Sequence, residues 1–144
     1  MLEHYGLSDK LETFRLWYGG YYFGHADIYC PWDVINYVDL LLSEPDASPR
    51  SFWINTSGND VIRHFVRMAK PGAKKEIELL VAGENVLKKI SQDFTYRDLY
   101  SDTNNLWSVL FATGYLTRRG KVEGTVYPLA IPNLEIRQIF IEQI

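Results

Sequence analysis

Between Asn104 and Ile144 the sequence switches periodicity twice, and that switch limits the chain to a mixed fold. Asn104 to Thr113 has helical spacing, with Leu106, Val109 and Leu110 on one side, and Gly114 stands where the helix should stop. Tyr115-Leu116-Thr117 is a β-prone run. Arg118 to Gly124 is a polar turn with two glycines, and Val126 to Ile131 is a second β-prone run. Pro128 marks that second run as an edge or bulge, because proline has no N–H to give a ladder. Pro132-Asn133 then leads into a closing amphipathic helix over 134–144. Helix, β-hairpin, helix is compatible with a winged-helix-like module.

The upstream part reads as shorter pieces. Residues 8–18 predict a helix with Leu11, Phe14 and Tyr18 in one stripe, capped by Ser8 or Asp9 and stopped by Gly19-Gly20. Tyr21 to Tyr29 suggests a small hairpin or irregular loop. Pro31 opens the next helix, where its missing N–H is harmless, and Trp32, Ile35, Val38, Leu41 and Leu42 are its expected apolar face. A polar connection with Pro45 and Pro49 follows, then a short apolar segment, Phe52-Trp53-Ile54. Val61, Ile62, Phe65, Val66 and Ala69 predict a helix ended by Lys70-Pro71-Gly72, and residues 73–82 predict another closed by Gly83. Val86, Lys88 and Ile90 alternate with Leu87 and Lys89 as in a short strand, and Tyr96 to Tyr100 reads as a helical turn.

Composition narrows the class. Hydrophobic residues make up 47%, which argues against disorder. Ten Tyr and four Trp point to an aromatic core, with Trp17, Tyr21, Trp32, Trp53 and Trp107 as its expected members; an aromatic docking surface is the other reading. The net charge of −3 gives no bulk reason to expect nucleic acid, though a local basic patch could still bind it. One cysteine, Cys30, excludes an internal disulfide and fits a cytoplasmic protein. No apolar run approaches the length of a membrane span. Both ends read as internal to a longer protein.

No glycine-rich loop ends in Gly-Lys-Ser/Thr, so the phosphate cradle of a nucleoside-triphosphatase is missing. There is no G-x-S-x-G elbow either, and no catalytic residue is assigned. A single Cys with the widely spaced His4, His25 and His64 does not predict a zinc site. Three weaker features remain. Cys30 beside Pro31 sits at a helix start, where a thiolate is stabilised, or it is simply a helix-entry residue or small buried hydrophobe. Arg118, Arg119 and Lys121 form a basic turn that could touch phosphates as a wing does, or be solvated. Arg63 and Arg67, four apart on one helix, could sense a nucleotide γ-phosphate, or lie on a plain solvated face.

Four ordered strings carry a family resemblance. Trp17-Tyr18-Gly19-Gly20-Tyr21, Phe23-Gly24 and Ile28-Tyr29-Cys30-Pro31-Trp32-Asp33-Val34 resemble the "WYDGY-x-FG … vYNPWSv" stretch of the AAA-ATPase-like family of large prokaryotic proteins. Phe52 to Asn59 is similar to its "yWxNTSxN" segment. Leu106 to Thr117 is similar to "LWSLLyxTGYLT", and Leu129 to Ile136 to "LxIPNxEI". The chain departs from the pattern at Gly19, where the family has Asp, and at Cys30, where it has Asn.

The resemblance implies a P-loop ATPase domain before this region and a PD-(D/E)xK nuclease-like domain after it. ATP and Mg²⁺ would then belong to the parent protein, with no cofactor in this part and no membrane partner. The expected fold class is α+β, mainly helical. A helical lid-like lobe with a short aromatic hairpin is expected over 1–83, and a winged-helix-like lobe over 84–144. The leading functional expectation is a non-catalytic lid and C-terminal region that couples nucleotide state to a neighbouring domain. A nucleic-acid-binding winged helix is the alternative, and a stand-alone enzyme is a third reading that lacks its catalytic set.

Overall fold

The computed structural model describes residues 2–23, 26–52, 60–91 and 103–144. The fold is α+β and mainly helical. A 3₁₀ turn at Ser8–Lys10 runs into helix α1 (Leu11–Tyr18). A two-stranded antiparallel ribbon follows, β1 (Tyr21–Phe23) on β2 (Ala26–Ile28), then α2 (Pro31–Ser43). The rest comprises α3 (Asp60–Met68), α4 (Pro71–Val81), β3 (Val86–Lys89), α5 (Thr103–Ala112), β4 (Thr117–Arg118), β5 (Val126–Ala130) and α6 (Leu134–Gln143). Trp53 to Asn59 and Tyr96 to Tyr100, with the segment and turn expected there, lie outside the described residues.

Local chemistry sets the boundaries. Pro31 and Pro71 each occupy the first turn of their helix, and the residues before them, Cys30 and Lys70, are extended as a following proline requires. α4 and α5 end alike. Gly83 and Gly114 take left-handed φ values of 95° and 89°, and each is followed by a residue whose N–H reaches back to the last turn, Glu84 to Leu79 O and Tyr115 to Leu110 O. These are Schellman closures, which a Cβ would disfavour.

The second strand set is a three-stranded antiparallel sheet in the order β3-β5-β4. The last strand lies in the middle, and the β4–β5 pair falls in sequence between α5 and α6. Pro128 is therefore in the central strand, not at an edge. It is tolerated because β4 is only two residues long. The Pro128 carbonyl accepts from Arg119 N–H at 2.8 Å on the β4 side, so its missing N–H faces the point where that short strand has already ended.

Two apolar cores result. The larger joins α3, α4, the sheet, α5 and α6 around Phe65, Trp107, Leu110, Leu129 and Phe140. Phe65 and Trp107 meet edge to face at 4.8 Å. The smaller joins α1 and α2 around Phe14, Tyr18, Tyr37, Val38 and Leu41. α3 buries Ile62 and Phe65, and Ala69 just after it, in the larger core.

Of the expected aromatic core, Trp53 lies outside the described residues, Trp17 and Tyr21 are half-buried, and Trp32 is corrected. Trp107 is fully buried, but Trp32 is 56% exposed. α2 turns Asp33, Tyr37, Val38 and Leu41 inward, and this leaves Trp32, Ile35 and Leu42 on the outer side. Hydrophobic spacing alone put all five apolar residues on one face, but their arc is wider than the contact that α1 provides.

Candidate functional site

The seam between the cores is built from residues far apart in sequence. α1 exits through Gly19 and Gly20 directly against Pro132, where α6 begins. Gly20 has φ 85°, and a Cβ there would land on the Pro132 carbonyl oxygen, so this close approach admits only glycine. Asn133 is the N-cap of α6. Its Oδ1 accepts from Ile136 N–H at 3.0 Å, and its Nδ2 donates to Gly19 O at 2.8 Å. One buried side chain thus both starts α6 and ties it to α1.

Glu135, one turn into α6, is fully buried, and its Oε2 accepts from Phe52 N–H at 2.8 Å. Beside it is Asp33 on α2, also fully buried. Neither Asp33 oxygen reaches a donor at full hydrogen-bonding geometry, although the Cys30 thiol and the Glu135 carboxyl stand close enough to interact with it. Burial raises the Asp33 carboxyl above its ordinary value, only partly offset by those two neighbours. Burial and then Asp33 push the Cys30 thiol up to about 12. Desolvation thus works against a thiolate at Cys30 and favours the reading of a helix-entry residue. Burial also holds the Tyr18 and Tyr21 phenols above their usual range.

At the mouth of the seam is a cleft of about 390 Å³. Arg15 from α1, Arg119 from the turn after β4 and Arg137 from α6 line it, together with Gly20, Gly83 and Pro132. No carboxylate residue lines it. Arg137 is held by its Nε, which donates to Val81 O at 2.8 Å, and Arg119 leans towards Pro132 O at 3.5 Å. Arg15 pairs with Glu12 at 2.9 Å on the open surface.

The basic turn expected from the sequence is divided by this arrangement. Arg119 faces the cleft. Arg118 is half-buried in β4, and Lys121 is exposed on the turn; neither lines the cleft. Arg63 and Arg67 are exposed on α3, away from the cleft, and Arg63 Nε donates to Gln143 Oε1 at 3.2 Å. Arg15, Arg137, Asn133 and Asp33 were not singled out by sequence reasoning. The cap position of Asn133 has a local signal, an Asn just before the helix, but its bond to Gly19 and the place of Arg15 and Arg137 at one cleft depend on elements far apart in sequence.

His4 is exposed and His64 half-buried, while His25 lies outside the described residues. Among the described residues no group of three or more His, Cys, Asp or Glu could hold a metal ion. None of the helices described is long and apolar enough to cross a membrane. No protein-family model, no curated protein and no solved structure matches the chain.

Proposed function

We propose that this chain is the non-catalytic lid and C-terminal region of an AAA-ATPase-like protein, coupling nucleotide state in a neighbouring P-loop domain to a domain on its other side. The carrying observation is the Asn133–Gly19 hydrogen bond, which spans 114 residues. It joins the first and last of the four strings that carry the family resemblance. Phe52, from the second string, meets Glu135, from the last, at the same seam. Strings that recur for structural reasons are expected to converge on one joint, and a joint between two cores is what a coupling region needs. ATP and Mg²⁺ belong, in this reading, to the neighbouring domain.

The nucleic-acid reading has less support. A winged-helix reader lays its second helix in the major groove. The equivalent position here falls to α5, which contains no Lys or Arg and buries Leu106 through Leu110. That leaves a wing in which Arg119 is turned to the cleft.

The isolated chain is expected to hydrolyse no ATP and to leave duplex DNA unretarded at moderate salt. Measured turnover, or salt-steep DNA binding lost in Arg118→Ala/Arg119→Ala, would sink the proposal. In an intact protein carrying a P-loop domain, Asn133→Ala is expected to change ATP turnover severalfold while the chain stays folded. Unchanged turnover would count against coupling.

A further inference from the structure

We propose that the arginine-lined cleft at the seam is a binding site for the phosphate group of a small phosphorylated ligand. This rests on the cleft alone and does not depend on the coupling reading. Three arginines, from α1, from the turn after β4 and from α6, line a space of about 390 Å³, in a chain whose net charge is −3. Bulk composition therefore does not explain the cluster. Among the described residues, neither Arg119 nor Arg137 has a carboxylate within ion-pair reach, and no carboxylate lines the cleft. Arg15 pairs with Glu12 through side chains 55% and 73% exposed, so the charge left for an anion is that of Arg119 and Arg137.

Like charges gathered around one concavity repel, and an anion relieves that repulsion. The chemistry selects among anions. A guanidinium presents a planar fork that grips two oxygens of a carboxylate or phosphate. More than one such fork can share the several terminal oxygens of a tetrahedral dianion, whereas a carboxylate offers only two. Arg137 is already held in place by Val81 O at 2.8 Å, so it needs little ordering on binding, while Arg119 makes only a long contact of 3.5 Å with Pro132 O. Gly20 and Gly83 keep the wall free of side chains. The volume falls within the roughly 300–1,000 Å³ of small-molecule sites, room for a phosphate with an attached organic group. Such a ligand would touch α1 on one side of the seam and α6 on the other.

The test is calorimetric titration of the purified chain with inorganic phosphate, pyrophosphate and ATP at low salt. Saturable binding of at least one of them is expected. Arg119→Ala should weaken it about tenfold or more, the usual loss for one charge-assisted hydrogen bond. Arg118→Ala removes the same charge one residue away, outside the cleft, and should change affinity little. Equal affinity for pyrophosphate and ATP would assign the site to the phosphate alone, and tighter ATP binding would assign the remaining space to the nucleoside. The proposal is overturned if none of the three binds saturably. It is equally overturned if Arg118→Ala weakens binding as much as Arg119→Ala does, since that reports general charge and not a site. A thermal melt of each variant separates lost binding from lost folding.

Discussion

The two cores are stabilised differently. The larger one is mainly apolar, with a sheet, four helices and Trp107 at its centre. The smaller one is aromatic with polar fastenings. Tyr18 donates its hydroxyl to Arg50 O at 2.9 Å and Tyr37 to Ala47 O at 2.8 Å, and these two bonds pin the proline-containing connection after α2. Its inner boundary is the buried Asp33 and Glu135 at the seam. The larger core therefore holds mainly by area removed from water, and the smaller one by hydrogen bonds and by its attachment to α6.

The sharpest way to break this comparison is to separate the lobes. A fragment of residues 1–52 is expected to show no cooperative thermal transition by circular dichroism, since a chain of that size buries too little surface and loses its seam partners. A cooperative melt of that fragment would mean that the small core stands unaided. Next in size is Trp107→Ala, which should cost about 3–5 kcal/mol in urea denaturation, because it empties the middle of the larger core. Gly20→Ala acts at the seam itself. The left-handed backbone alone costs about 1–2 kcal/mol for a residue with a Cβ, and the blocked approach to Pro132 adds to it. Wild-type stability in that variant would remove the seam from the account.

How far the sequence reveals this follows from the range of each signal. The helix start at Pro31, the stops at Gly83 and Gly114, and the paired runs of β4 and β5 are local events, and local residues announce them; Pro71 reads in the sequence as the end of the preceding helix, whereas it opens α4. The closing helix is legible from its spacing. Which side of α2 faces inward is not, because Trp32, Ile35 and Leu42 are as apolar as Val38 and Leu41, and the choice is made by α1. The cleft is less legible still. Arg15 and Arg137 look like ordinary solvent-facing helix residues, and only the meeting of α1 with α6 brings them to Arg119.

The polar seam also makes stability depend on pH. The folded chain raises the Asp33 pKa above its ordinary 3.8, so it binds that proton more tightly than the unfolded chain does. The contribution is then fully present below the ordinary value and is lost as pH rises through the folded value. Urea midpoints measured at pH about 4 and about 7 should show Asp33→Asn losing less stability over that interval than wild type. Equal losses would show that Asp33 is not the group responsible.

The smallest expected effect tests the other face of α2. Trp32 is the same residue type as Trp107, yet it is more than half exposed, and its indole N–H makes one long contact of 3.4 Å with Phe52 O. Trp32→Ala should shift stability by no more than about 0.5 kcal/mol, since little area returns to water and no cavity is left. Read beside Trp107→Ala, the pair separates burial from residue identity. A loss at Trp32 comparable with that at Trp107 would mean that the outer face of α2 is covered in solution, and the smaller core would then extend beyond the contact with α1.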